Sequence, residues 1–311
     1  MRTEGAGKAN DFLTADGPGT ACDAVAAEHG ERPDSPFDSV GIIGLGVMGG
    51  SLARALRRLA RPPAVLAWSP AAGEMESALQ AGVVERVPGS IEEVLDARLV
   101  VYATPLDACI RLIPVHAPLL AADALATDVG SLMAPVLDIA RAVGLSGRWI
   151  GSHPMCGSER SGFGASRADL YDGVHVWMSS EPQAEARMAD VERFWRAVGA
   201  RPARVAAEAH DERMTLVSHL PQLTATALAQ VLAEHGVDVD ELGPGGRGMT
   251  RLAASSPLVW RDILAHAPDR LQDVLRALSR TIGDIADGME SGDLDALETL
   301  MLRTRTWRGG G

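Results

Sequence analysis

Six residues constrain this chain more than any others. Gly44-Leu45-Gly46-Val47-Met48-Gly49 follows the short apolar run Val40-Gly41-Ile42-Ile43 and precedes an Ala/Leu/Arg-rich segment of helical character that runs to about Leu59. A strand, a turn with GxGxxG spacing and a helix, in that order, make a seat for the pyrophosphate of a dinucleotide. Gly44 permits the tight turn, Gly46 lets the backbone approach the ligand, and Gly49 lets helix and strand pack closely, while the helix N-terminus supplies unpaired N–H donors and a positive dipole end. The spacing alone is weak evidence, because glycine-rich turns occur in unrelated α/β proteins; the flanking strand and helix give it weight. Leu45, Val47 and Met48 complete the predicted cofactor turn.

The text downstream repeats the alternation. Ala64 to Trp68 reads as a second strand, Ala71 to Ala81 as a helix, and Leu99 to Tyr102 and Leu125 to Thr127 as further strands between helical stretches. Alternating β and α predicts the α/β class, with a Rossmann-type doubly wound parallel sheet. After about Arg204 the pattern is helical only. Leu216, Leu220, Leu223, Ala227 and Val231 recur at helical spacing, as do Leu271, Val274, Leu278, Ile282, Ile285 and Met289. Leu242 to Gly248, rich in Gly and Pro, reads as a loop between these helices. The expected organisation is a flexible leader over 1–37, a dinucleotide-binding domain over 38–205 and a helical domain over 206–311. No further regulatory domain is expected after a last apolar helix near Leu294 to Leu302.

A chain of 311 residues can build two cores of this kind. Its formal net charge of −12 argues against nucleic acid or an anionic membrane surface as a partner, so an anionic ligand has to be held by local donors. Cys22, Cys109 and Cys156 are odd in number and lack CxxC spacing, which suits a reducing compartment and gives no reason to expect a metal. No apolar run approaches the roughly 20 residues of a membrane span, and no secretory leader is evident, so a cytoplasmic location is expected.

In a doubly wound sheet the ligand lies outside the carboxyl ends of the strands. An NAD site usually places a carboxylate at the end of the second strand, about 20 residues after the glycines, where it accepts from the ribose 2′-hydroxyl. Here that position reads Trp68-Ser69-Pro70. Ser69 is therefore the candidate cofactor contact, and the choice between NAD and NADP stays open with a lean to NADP, although no Arg adjoins Ser69. Three further segments qualify: Thr104-Pro105, taken as cofactor-binding, then Thr127 to Ser131, then Gly151 to Glu159. The last holds His153 in a Gly/Ser-rich turn after a strand, where an imidazole can work as an acid or base. Glu159 reads equally well as a helix-capping carboxylate.

Five ordered segments, GLGVMGGSLA (44–53), TDVGS (127–131), GSHPMCGSERSG (151–162), HDERMTLVSHLP (210–221) and MTRLAASSPLVWRDI (249–263), resemble the prephenate and arogenate dehydrogenase family. The resemblance implies a Rossmann domain followed by an all-α dimerisation domain, a homodimer, and an oxidative decarboxylation of a cyclohexadienyl acid with hydride transfer to NAD or NADP. It implies that His153 accepts a hydrogen bond from the C4 substituent and that Ser131 positions that substituent. It also implies that Arg251 binds a substrate carboxylate, with Ser218, His219, Gln222 and Trp260 lining the pocket. Pro221, which removes a backbone donor, is expected to kink that helix and turn Ser218, His219 and Gln222 toward the cleft. His219 also reads as a satisfied buried histidine, Trp260 as interhelical packing, and Arg251 as an interhelical salt bridge.

The match departs from the family around the pocket rather than the cofactor turn. Gln222 stands where the family commonly has a histidine, Met133 where it has a lysine, and Gly243 to Gly248 lacks an aromatic and an acid. An asparagine usual soon after Ile263 is also absent. These losses suggest a prephenate relative, arogenate or 4-amino-4-deoxyprephenate, as the substrate. Two other readings remain at this point. A β-hydroxyacid dehydrogenase shares the GLGxMG opening but needs a catalytic lysine, and the one lysine here is Lys8. A nicotinamide-binding sensor without turnover is the reading from a different class.

Overall fold

The computed structural model describes residues 33–157 and 160–309. Most of the expected leader, residues 1–32, and the capping role considered for Glu159 lie outside the described residues. Phe37, assigned above to the end of the leader, is buried and meets Phe194 edge-on at 6.1 Å between ring centroids.

The first domain alternates strand and helix: β1 (Ser39–Ile43), α1 (Val47–Leu56), β2 (Ala64–Trp68), α2 (Ala72–Gln80), α3 (Ile91–Leu95), β3 (Leu99–Tyr102), α4 (Leu106–His116), β4 (Leu125–Asp128), α5 (Ala134–Ala142), β5 (Trp149–Pro154), β6 (His175–Ser180), α6 (Glu185–Ala197) and β7 (Arg201–Arg204). They form one seven-stranded sheet in the order β2-β1-β3-β4-β5-β6-β7. Every pairing is parallel except β5 with β6. That exception has a simple cause. The chain returns from β5 to β6 through a loop on the same end of the sheet, and only a crossover helix can make the next strand parallel.

Every residue of β3, β4 and β5 is buried, as expected of central strands covered on both faces. Side-chain alternation divides the core: Leu99 and Val101 pack with Leu52 and Leu56 of α1 on one face, while Val100 and Tyr102 pack with Ile113 and Val136 on the other. The chain passes from β1 to β2 on one side of β1 and returns to β3 on the other. The gap between β1 and β3 is thus the topological switch point, where such sheets bind ligands.

The second part is helical: α7 (Ala207–Met214), a π-helical turn (Thr215–His219), α8 (Leu220–Glu234), α9 (Pro244–Thr250), α10 (Pro257–His266), α11 (Arg270–Ser291) and α12 (Leu294–Trp307). Two expectations change. Leu242 to Gly248 is not a loop throughout, because Pro244 starts α9 at a position where its missing N–H costs nothing. Arg247 fastens this helix by donating to the carbonyls of Leu242 and Asp240, and a Cβ at Gly246 would crowd Leu242 at 3.3 Å. Pro221 produces no break either. It sits in the first turn of α8, and the preceding π turn takes up the backbone irregularity. Among the described residues no helix is long and apolar enough to cross a membrane.

Candidate active site

The glycine turn has the shape its spacing predicts. Gly44 adopts φ of 98°, and a Cβ there would lie 2.5 Å from the Ala103 carbonyl oxygen. A Cβ on Gly49 would fall 1.9 Å from the Gly44 carbonyl oxygen, so only glycine lets α1 pack this close to β1. Around Gly46 a Cβ would meet nothing within 4 Å, and no side chain caps the N-terminus of α1. The space over the first helical turn is therefore open and its N–H donors face it. Leu45 is buried, and Val47 and Met48 pack against the same core, so what they leave open to a ligand is backbone. Beside the turn, at the end of β3, the buried Thr104 hydroxyl has no hydrogen-bond partner among the described residues. Pro105 is exposed and starts α4. An open glycine, an uncapped helix and an orphaned hydroxyl at one switch point fit a dinucleotide.

His153 lies next to the end of β5, which is buried along its whole length, and is itself buried. Its Nδ1 lies 2.9 Å from Nε2 of His210, and His210 Nδ1 lies 2.8 Å from an Asp211 carboxylate oxygen. The same carboxylate accepts the backbone N–H of Met133 at 2.9 Å and of Ala134 at 2.8 Å, so a residue of α7 caps α5 of the other domain. Where both rings are neutral, these contacts fix the proton positions. A carboxylate can only accept, so His210 donates from Nδ1 and its Nε2 carries a lone pair. His153 must then donate from Nδ1. Its Nε2 is left as an acceptor.

Burial pushes the His153 pKa down to about 3, and the neighbouring His210 and His219 add to the effect. The ring is therefore neutral near pH 7. Ser131 follows β4 two residues before Met133, so the turn that meets Asp211 also carries this hydroxyl to the carboxyl end of the sheet. Below it Asp128 is buried and takes hydrogen bonds from the Gly130 N–H at 3.0 Å and the Trp149 indole at 3.3 Å. Burial raises its carboxyl to about 7.

The helical domain brings His219 to the same region. Its ring is buried, it meets Trp260 edge-on at 5.8 Å, and its Nδ1 has no hydrogen-bond partner among the described residues. The reading of His219 as a satisfied core histidine therefore fails. Burial also lowers its pKa. Trp260 is half-buried and packs against the core beside α4. Gln222 behaves differently from a pocket-lining amide. Its Nε2 donates to the Leu252 carbonyl at 2.8 Å and its Oε1 accepts from Ser255 at 3.3 Å, so it ties down the turn that begins at Arg251. Arg251 is exposed and has no ion pair among the described residues; Ser218 is half-buried.

His210 and Asp211 escaped the reading from residues alone. The signal available was the adjacent His-Asp pair within the first helix after the sheet, but nothing local reveals that it reaches back to β5 and α5.

Comparison with known proteins adds independent findings. Residues 52–203 match the family model described as prephenate dehydrogenase, nucleotide-binding domain, and residues 206–303 match prephenate dehydrogenase, dimerization domain. The chain is similar to prephenate dehydrogenase of Bacillus subtilis, 28% identical across 88% of this chain and 76% of that one. It is also similar to cyclohexadienyl dehydrogenase of Zymomonas mobilis, 27% identical across 84% and 92%. The solved structure of prephenate dehydrogenase from Aquifex aeolicus, in complex with hydroxyphenyl propionate and NAD+, superposes with a TM-score of 0.80 at 26% identity, over 89% of this chain and 99% of that one.

Proposed function

We propose, because this chain belongs to the prephenate dehydrogenase family, that it oxidatively decarboxylates prephenate or a close cyclohexadienyl relative using NAD or NADP. The nicotinamide supplies the hydride acceptor. The substrate's C4–H bond gives up a hydride, the C1 carboxylate leaves as CO₂, and the electron pair it releases completes the aromatic ring. Aromatisation makes the step effectively irreversible. His153 Nε2 accepts a hydrogen bond from the C4 hydroxyl and stabilises the positive charge that develops on it as the hydride departs; the proton stays with the phenolic oxygen of the product. Ser131 orients the same substituent. His210 and Asp211 hold the imidazole in the tautomer that can accept.

The observation that carries this reading is the buried, neutral His153 with its Nε2 left as the free acceptor. Purified protein mixed with NAD+ or NADP+ and prephenate, arogenate or 4-amino-4-deoxyprephenate tests it through the absorbance of the reduced nicotinamide. Turnover of at least one acid is expected. Inactivity on all three with both cofactors would favour the sensor reading instead.

Arg251 binds a substrate carboxylate through its bidentate fork, and Gln222 positions Arg251 by holding the turn below it. Arg251→Gln is expected to raise KM by about 10–100-fold and to leave kcat within a few-fold, as the loss of one charge-assisted contact requires. An unchanged KM would remove Arg251 from the pocket. A second reading concerns the substrate. Met133, at the family's lysine position, is fully buried, and the Gln222 amide is occupied, so two polar groups that would help neutralise a dianion are missing. That favours arogenate, whose ammonium cancels one charge, and a higher kcat/KM for arogenate than for prephenate is the expected outcome.

The helical part also supports a homodimer. α11 is strongly amphipathic over 22 residues, yet Leu271 is its one buried side chain, while Ile282 and Met289 are 57% and 68% exposed. Stripes of this kind are covered by a second copy in a dimerisation domain. Ile282→Glu combined with Met289→Glu is expected to convert the dimer to monomer in size-exclusion chromatography with light scattering. A variant that elutes with the wild type would place the interface elsewhere.

A further inference from the structure

We infer that Glu74, reaching from the first turn of α2 onto Ser69 at the end of β2, supplies the carboxylate that recognises a free ribose 2′-hydroxyl and excludes a 2′-phosphate, so that the chain selects NAD over NADP. The inference rests on the dinucleotide reading of the preceding section. Ser69 occupies the position where an NAD site usually carries its own acid, and the residue itself offers no charge. The fold brings one to it. The Ser69 hydroxyl donates to Glu74 Oε2 at 2.6 Å, and Ser69 is buried while Glu74 is half-buried.

This pairing sets the polarity of the site. A hydroxyl has one proton, and Ser69 commits it to Glu74, while the Ser69 oxygen also accepts from the Ala71 N–H at 3.3 Å. What the pair can offer a ligand is acceptor capacity. A ribose hydroxyl can donate to such a pair; a phosphate monoester, an acceptor carrying close to two negative charges, cannot. The cavity that opens here, about 520 Å³, is lined by Ser69 and largely by apolar surface from Trp68, Pro70 and Met75; its one charged lining residue is Glu76, and Glu74 bears on it through Ser69. Three arginines close in sequence are engaged elsewhere. Arg54 donates to Ser166 and lies over the Phe163 ring, Arg57 pairs with Glu85, and Arg86 pairs with Glu93. The positive end of α2 is no substitute, because Glu74 stands in its first turn and already answers it. A carboxylate so placed counts against the lean to NADP drawn from the missing acid at the strand end.

Isothermal titration calorimetry of the full chain with NAD+ and with NADP+ tests the inference without substrate turnover. NAD+ is expected to bind at least about tenfold more tightly, the least that an unrelieved like-charge contact should produce. In Glu74→Gln, where an amide brings donors and no charge, the ratio should fall to within about threefold, chiefly through tighter NADP+ binding. Wild-type protein that binds NADP+ as well as NAD+, or a Glu74→Gln ratio that stays at the wild-type value, would overturn the assignment while leaving the dehydrogenase reading intact. Binding of neither nucleotide would reject that reading, and this one with it.

Discussion

His153→Asn is expected to lower kcat by about 10²–10⁴-fold, the usual contribution of a positioned acid-base group, with KM for NAD+ close to wild type. Asparagine can keep a polar contact with His210 but cannot share a proton with the C4 substituent as an imidazole does. Loss of KM instead of kcat would make His153 a binding residue only. The pH dependence gives a second check. With its pKa pushed down to about 3, His153 remains a base at pH 5, so its protonation imposes no acid limb on kcat/KM between pH 8 and pH 5. An ordinary histidine near 6.5 would impose one. Stability carries the same signature with a definite sign. The unfolded chain protonates this histidine near pH 6.5 while the folded chain refuses the proton, so the contribution of His153 to stability is lost progressively as pH falls from 6.5 toward 3. In urea titrations at pH 7 and pH 4.5, His153→Asn should lose less stability than the wild type between the two conditions.

Asp211→Asn is expected to cost a comparable factor, about 10²–10⁴ in kcat, although Asp211 stands two hydrogen bonds away from His153 and does not touch the reacting atoms. An amide in this place can donate to His210 Nδ1. His210 then donates from Nε2 to His153 Nδ1, and the proton of His153 moves to Nε2, where an acceptor is needed. The nitrogen facing substrate becomes a donor. A cap is also weakened, because the carboxylate accepts two N–H groups at the start of α5, so a stability loss of about 1 kcal/mol should accompany the change. The two effects separate in measurement. Imidazole ¹⁵N shifts of His153 report its tautomer directly, and a merely structural Asp211 would leave them unaltered. An Asp211→Asn enzyme with wild-type kcat would show that the relay does not set the base.

Local features were legible in the residues, and long-range ones were not. Gly44 and Gly49 could be identified because the reason for each glycine lies within a few residues of chain, in a turn and a helix packing on its own strand. β3 and β4 were clear because fully buried strands read as apolar runs. Leu242 to Gly248 misled, since four glycines and a proline read as a loop by propensity, yet the packing of Gly246 on Leu242 and the carbonyl contacts of Arg247 favour a helix. In the site, the strand-end rule pointed to Ser69 and found no acid, because Glu74 arrives from the next helix. Gln222 carried no mark of its bond to Leu252, thirty residues on. Relations of this kind depend on which elements meet, and no spacing rule encodes them.

The π turn at Thr215–His219 determines which way two side chains look. Asp211 and His219 are eight positions apart, which on an uninterrupted α-helix separates them by about 80° of rotation. A single widened turn absorbs roughly one residue and brings that separation to about 20°, so both come to lie along one line of the rod. Regularising this segment into a plain α-helix with no residue removed would swing the His219 ring about 80° out of line with the carboxylate that anchors α5, without changing the identity of any side chain in the cleft.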